Sequence, residues 1–211
     1  MMKKAKPKEN PQVQAKDVTF VYYFANSADG FVADAQGGVD WLNAYDDADY
    51  GFNAFMKSIE GVVMGRKTYE QALGFGPWYY HGIPCVVLSK TRTEGPHVEF
   101  WNQPVEGLRE YFAAKGVRRI WMLGGGEAAA AFVNAGMIDD IEQYVMPIVL
   151  GTGIPAYGPL NKNVALKLTA TKSYKNGVVM VRYQRADGKA ANAERPAAKA
   201  SSKAKKARAK K

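Results

Sequence analysis

Residues Val18–Ala25 read Val-Thr-Phe-Val-Tyr-Tyr-Phe-Ala and then break into Asn-Ser-Ala-Asp-Gly. A short run of β-branched and aromatic residues bounded by turn formers predicts a buried strand that ends in a loop. From Asp47 to Ser58 the period changes. Tyr50, Phe52, Phe55, Met56 and Ile59 recur at mixed three- and four-residue spacings, which predicts a helix packed on a sheet. Strand-like Gly61–Met64 is followed by a short helical segment Arg66–Leu73, buried strand-like Ile83–Leu88 and a weaker strand Val98–Trp101. Val105–Lys115 is amphipathic, and Arg118–Leu123 is a strand that runs into three glycines and the alanine-rich helix Glu127–Ala135. Ile141–Val149, Ala165–Tyr174 and Gly177–Gln184 are then consecutive strands, the last two joined through Asn176-Gly177, a hairpin signal. The alternation predicts an α/β fold: a mainly parallel central sheet flanked by helices, with a C-terminal antiparallel ribbon.

A chain of 211 residues, 47% hydrophobic and 12% aromatic, has material for one core and predicts one main domain. No apolar run reaches the roughly 18 residues of a membrane helix, and the Lys-rich start lacks a following secretory-type apolar segment, so a cytoplasmic protein is expected. The single cysteine, Cys85, excludes an internal disulfide; with His81 and His97 as the only histidines, no Cys/His zinc cage and no metal site is expected.

Net charge is +9, and its distribution matters more than its size. Residues 1–16 carry five lysines against one glutamate, and residues 188–211 carry nine Lys/Arg against one glutamate, which leaves 17–187 at −3. The expected organisation is a basic N-terminal extension 1–16, a folded domain 17–187 and a disordered Lys/Ala-rich tail 188–211 too poor in large apolar groups to pack. Such a tail either contacts polyanions nonspecifically through phosphates or solubilises the chain.

Three clusters of candidate chemistry stand at predicted strand ends. Gly124-Gly125-Gly126 precedes a helix, where backbone amides and the helix dipole favour a diphosphate; a close-packed strand-to-helix turn needs the same residues. Gly65-Arg66-Lys67-Thr68 places two cations in the first turn of a helix, where they are repelled unless an anion lies nearby. Ser89-Lys90-Thr91-Arg92 repeats the theme after the next strand. Open α/β sheets bind nucleotides at the carboxyl ends of their strands, so the three together point to a phosphorylated dinucleotide.

Val63-Met64-Gly65-Arg66-Lys67-Thr68-Tyr69-Glu70, Val87-Leu88-Ser89-Lys90 and Trp121-Met122-Leu123-Gly124-Gly125-Gly126, in this order, resemble the dihydrofolate reductase superfamily. Asn26–Gly30 and the run Met146–Pro155 resemble its branch containing the reductase domain of riboflavin biosynthesis and that domain's stand-alone relatives; the likeness spans about 17–185. The resemblance implies a dihydrofolate reductase-like fold and NADPH-dependent hydride transfer to a pterin- or pyrimidine-like heterocycle. It implies that Arg66, Lys67, Thr68, Ser89, Lys90 and Arg92 hold the adenosine phosphates, that Gly65 shapes their turn, and that Gly124, Gly125, Gly126 and Glu127 face the diphosphate. Ala25 and the Gly30–Val32 loop would border the nicotinamide.

A proton must accompany the hydride. In this resemblance an acid five residues beyond Trp41 is Asp46, and one six residues beyond is Asp47; Asp40 and Asp49 are within reach, and any of the four can equally be a solvated helix-start carboxylate. Trp41, Gly153 and Pro155 are the expected substrate contacts. Trp41, Trp78 and Tyr79 can stack on a flat ring or serve as core and rim aromatics. Ile83 occupies the position where folate reductases place an arginine for the folate carboxylate, which argues against folate. The zinc-deaminase signature that accompanies a bifunctional riboflavin enzyme is missing from these 211 residues. A homodimer is plausible by the same analogy. The competing function is a catalytically silent nucleotide-binding protein whose basic tail binds polyanions.

Overall fold

The computed structural model describes residues 12–186. In chain order the elements are β1 (Thr19–Ser27), β2 (Phe31–Ala33), α1 (Phe52–Ser58), β3 (Gly61–Gly65), α2 (Arg66–Gly74), β4 (Cys85–Leu88), β5 (Glu99–Trp101), α3 (Leu108–Ala114), β6 (Arg119–Leu123), α4 (Gly126–Asn134), β7 (Ile138–Met146), β8 (Ile154–Pro155), β9 (Leu166–Ser173) and β10 (Val179–Arg185). Short 3-10 turns occupy Ala15–Asp17, Asp40–Tyr45 and Val105–Gly107.

Eight strands form one sheet in the order β5-β4-β3-β6-β1-β7-β10-β9. Every pairing from β5 to β7 is parallel; β10 runs antiparallel to both β7 and β9. The expected α/β sheet with its antiparallel C-terminal ribbon is what forms. Gly177, at φ +87°, takes the left-handed position of the β9–β10 turn and donates its amide to Tyr174 O.

β1 lies near the middle because nearly every residue of it is apolar, and its pleat sends alternate side chains into two cores. Phe20, Tyr22 and Phe24 pack with Leu108 and Phe112 of α3 and with Phe132 of α4; Val21 and Tyr23 pack with Phe55 of α1, Tyr69 of α2 and Trp121. Full burial of such a side chain contributes roughly 1.5–3 kcal/mol, so β1 anchors both layers.

Several boundaries differ from the periodicity reading. Helix α1 starts at Phe52 rather than at Asp47, because Gly51 adopts φ +93° and breaks the chain there; a 3-10 turn over 40–45 precedes the break. β7 begins at Ile138, ahead of the expected Ile141, since Arg109 pairs with Asp139 at 2.9 Å and Arg119 with Asp140 at 3.7 Å, which makes both acids tolerable in a strand. Val13, within the stretch read as a basic extension, packs against the core. The β2–β8 ribbon has no counterpart in the sequence reading, because elements of three and two residues are too short for a periodic signal. The expected tail at 188–211 lies outside the described residues, among which no helix is long and apolar enough to cross a membrane.

Candidate functional site

Parallel strands end on a common edge, so the neighbours β4, β3 and β6 bring Ser89–Arg92, Gly65–Thr68 and Gly124–Glu127 side by side. The three clusters read as separate signals thus form one surface. α2 and α4, nine residues each, begin directly on it and aim their amino ends along it.

The glycines admit protein as well as backbone approach. A Cβ on Gly124, which sits at φ +117°, would lie 2.7 Å from Thr68 Oγ1. One on Gly125 would lie 2.5 Å from Val32 Cγ2 and 3.2 Å from Pro155 O, and one on Gly126 3.5 Å from Ile154 Cγ2. The ribbon β2–β8 is therefore seated on the glycine turn, and Thr68 of α2 closes it from the β3 side. Gly153 is held equally close, a Cβ there lying 3.2 Å from Phe31 Cβ. Gly30 accepts the Ala156 amide through its carbonyl and fixes the start of β2 to the end of β8. Asp29 fastens the same loops by accepting the amides of Leu150 at 3.1 Å and Gly151 at 2.7 Å. The Ser27 hydroxyl, together with these amides, lowers the Asp29 pKa.

The cations are arranged around one carboxylate. Arg66 Nη1 lies 2.9 Å from both oxygens of Glu70, and Arg92 Nη1 lies 3.4 Å from Oε1 of the same residue. Arg92 also covers the rings of Tyr69 and Phe100, at 5.2 and 5.7 Å, and donates through Nε to Glu94 O. Ser89 Oγ accepts the Arg92 amide at 2.8 Å, which shapes the loop and leaves the hydroxyl proton for another partner. Lys67 and Lys90 are exposed, with no ion pair among the described residues. Glu70 is the site residue the sequence reading passed over: it stands one turn beyond Arg66, at the i,i+4 spacing that pairs charges on a helix.

The remaining expected residues divide. Ala25, at the carboxyl end of β1, pairs with Tyr144 of β7 and lies on the α1 side of the sheet together with Trp41. Trp41 Nε1 is buried and has no hydrogen-bond partner among the described residues. Gly153 and Pro155 are held on β2 and the glycine turn, and the following Ala156 enters the core on the α4 side.

Asp46 and Asp47 are exposed. Asp47 Oδ1 accepts Asn176 Nδ2 at 2.7 Å and Tyr50 OH at 3.4 Å, which ties it to the β9–β10 turn; Asp46 makes no hydrogen bond among the described residues. Asp49 is used structurally, accepting Asn53 Nδ2 and the Gly51 amide, and those bonds lower its pKa. Trp78 is buried against Tyr69 and stacks on His97, whereas Tyr79 is exposed. Below Asp47, Tyr144 OH lies 2.7 Å from Glu142 Oε1 and 2.5 Å from Tyr50 O, and Arg182 Nη2 reaches Glu142 Oε2 at 2.8 Å. Burial, and then the Glu142 carboxylate, push the Tyr144 phenol far above its ordinary range; burial pushes Tyr23 up to about 12.

The fold has counterparts in known proteins. The family model described as RibD C-terminal domain matches residues 19–180. The chain belongs to the RibD C-terminal domain family. Among curated relatives, this RibD C-terminal domain is 32% identical over 170 residues to the uncharacterized protein YwjB of Bacillus subtilis strain 168, covering 79% of this chain and 97% of that one. A crystal structure from Shewanella sp. PV-4, of a protein provisionally assigned to riboflavin biosynthesis, is 28% identical with a TM-score of 0.73, covering 80% of this chain and 99% of that one. The dihydrofolate reductase of Enterococcus faecalis, complexed with NADP(H), superposes at a TM-score of 0.58 with 19% identity over 83% of this chain and 99% of that one, so it shares the fold. The RibD C-terminal domain here thus shares the dihydrofolate reductase fold.

Proposed function

We propose that the protein is an NADPH-dependent reductase that transfers a hydride to a pterin- or pyrimidine-like heterocycle. The observation that carries the reading is the joint edge of β4, β3 and β6, where the strand ends carrying Arg66, Lys67, Lys90 and Arg92 adjoin a glycine turn at a helix start. That donor set fits a phosphorylated dinucleotide: cations for a phosphomonoester, backbone amides for a diphosphate, and an unpartnered Trp41 Nε1 on the side where Ala25 ends β1. The Enterococcus faecalis neighbour's NADP(H) supports the same cofactor.

Bound NADPH supplies the hydride, and the protein's part is placement and proton supply. Arg66 and Arg92 hold the 2′-phosphate, with Lys67, Lys90, Thr68 and Ser89 beside it. Gly124–Glu127 and the amino end of α4 hold the diphosphate. Ala25, Gly30 and Val32 border the ring that reacts, and Trp41 orients the acceptor. Asp47 is the better placed of the two candidate acids, because Asn176 fixes its carboxylate and Asp46 is untethered among the described residues. Asp47→Asn is expected to lower turnover by roughly 100-fold or more while leaving cofactor affinity within about twofold, and Asp46→Asn to leave both turnover and cofactor affinity within about twofold.

The deciding experiment is an NADPH fluorescence titration followed by a screen of oxidised heterocycles for loss of the reduced-cofactor absorbance. Tight NADPH binding with turnover of a planar heterocycle supports the reading. Absence of NADPH binding removes it, and binding without any turnover leaves the silent nucleotide-binding protein instead.

A further inference from the structure

α1 and Trp41 lie on one face of the sheet; the opposite face, behind α4, holds a cavity that the reductase reading does not use. Strand register sets its floor. Ile141 of β7 and Tyr183 of β10 are paired across the ladder, and Gln143 and Arg185, two residues further along each strand, share their face.

After β8 the chain crosses this floor as a strap over 157–165. Gly158 passes so close to α4 that a Cβ there would lie 2.9 Å from Gly126 O, and its amide donates to that carbonyl at 3.0 Å. Asn134, at the end of α4, donates to Pro159 O at 3.3 Å and accepts the Asn161 amide at 2.8 Å. The Ala186 amide closes the far end on Ala165 O at 3.0 Å. The strap is thus tied at both ends, and beneath it a cavity of about 310 Å³ is left between Ile138, Ile141 and Val164, with Leu160 on its rim.

Four polar groups converge on these apolar walls. The hydroxyls of Tyr157 and Tyr183 form no hydrogen bond among the described residues. Burial, and then the neighbouring Tyr183, raise the Tyr157 phenol, so it stays a donor at neutral pH. Gln143 donates through Nε2 to Asn26 Oδ1 at 2.9 Å, which leaves its carbonyl available. Arg185, exposed at the mouth, holds Gly136 O through Nη1 and keeps its Nε–Nη2 edge. Among the described residues no carboxylate lines the cavity, and Asp139 and Asp140 at the start of β7 are paired with Arg109 and Arg119. One guanidinium is therefore the cavity's charge, which matches a monoanion.

We propose that this cavity is a binding site for a flat aromatic monocarboxylate, its rings between Ile141, Val164 and the two tyrosines and its carboxylate on the open edge of Arg185. A dry apolar cavity of about 150 Å³ takes one benzene ring, so about twice that volume suits a bicyclic body with a small head group. The Nε–Nη2 edge offers two parallel donors to a carboxylate, the phenol hydroxyls add further donors, and aromatic rings pack favourably on tyrosines. The site does not depend on the reductase reading. Gly136 and Arg185 stand at the far end of α4, a nine-residue helix roughly 13 Å long, from the glycine turn proposed for the diphosphate.

The test is calorimetric titration of the full chain with 2-naphthoate and with its neutral amide, followed by a crystal structure with 2-naphthoate soaked in. Expected is one 2-naphthoate per chain, the amide binding roughly tenfold or more weakly because it lacks the charge-assisted contact. Arg185→Gln is expected to remove that difference by weakening 2-naphthoate alone. Val164→Trp fills the cavity and should abolish binding of both; Leu160→Trp repeats the block from the exposed rim, where the core is untouched. Arg66→Ala leaves 2-naphthoate affinity unchanged. No binding at about 1 mM overturns the proposal, as does equal affinity for acid and amide, or affinity untouched by Arg185→Gln. Soaked 2-naphthoate found anywhere except between the strap and β7 overturns it as well.

Discussion

Glu70 holds Arg66 and Arg92 from two different loops in one arrangement before any ligand arrives, so the helix-start cations are not left facing the helix dipole alone. All three side chains are about two-fifths exposed or slightly less, and exposed pairs of this kind add little to stability. Their value is positional. Arg66→Ala is therefore expected to leave thermal stability nearly unchanged and to weaken NADPH by roughly tenfold or more, with a much smaller loss for NADH, because the contact to a 2′-phosphate is charge-assisted. Parallel titrations of the two cofactors check this, and equal losses would sink the assignment. At this scale the sequence was readable where residue type alone limits the chemistry, as with Gly65–Thr68 and Gly124–Gly126. It was unreadable where partners come from distant segments: nothing near Asp47 announces Asn176, and nothing near Tyr144 announces the Tyr50 carbonyl.

Elements were legible in proportion to their length. β1, β6, α4 and the β9–β10 hairpin each carry enough consecutive signal to be placed within a few residues. The stretch 40–51 was not, because its aromatics follow helical spacing while Gly51 forbids a continuous helix. The β2–β8 ribbon has two or three residues on each side and exists only because the glycine turn gives it a seat. Gly125→Ala tests that seat. Its methyl would meet Val32 and the Pro155 carbonyl and must push the ribbon away, at a cost of about 1–3 kcal/mol; the Val32→Ala background, which vacates the space, should recover part of it. Chemical denaturation of the single and double variants measures both effects.

For the molecule as a whole, the interior is rich in phenols and has one thiol. Burial pushes Tyr23, Tyr111 and Cys85 each up to about 12, and it raises Tyr22, Tyr80, Tyr144 and Tyr157 as well. These groups bind protons more tightly folded than unfolded. Their contribution is complete below the unfolded-state values near 8.5 for the thiol and 10 for the phenols, and it is lost as pH climbs from there toward about 12. Thermal midpoints should accordingly hold steady on the neutral side and fall progressively above about pH 9, while Cys85 stays unreactive to alkylation at pH 8 until the fold opens. The parallel class of the sheet was legible from its β/α alternation, but the strand order was not, since pattern says which segments are strands and not which ones are neighbours.

That order has a temporal side. β1 is the first of the described strands in chain order, yet its partners begin at Arg119 on one flank and Ile138 on the other. For the 91 residues between Ser27 and Arg119 this largely apolar strand has no sheet partner to zip against. Closure of so long a loop makes folding slow and largely post-translational, and it leaves Val18–Ala25 exposed to chaperones or to aggregation in the interval.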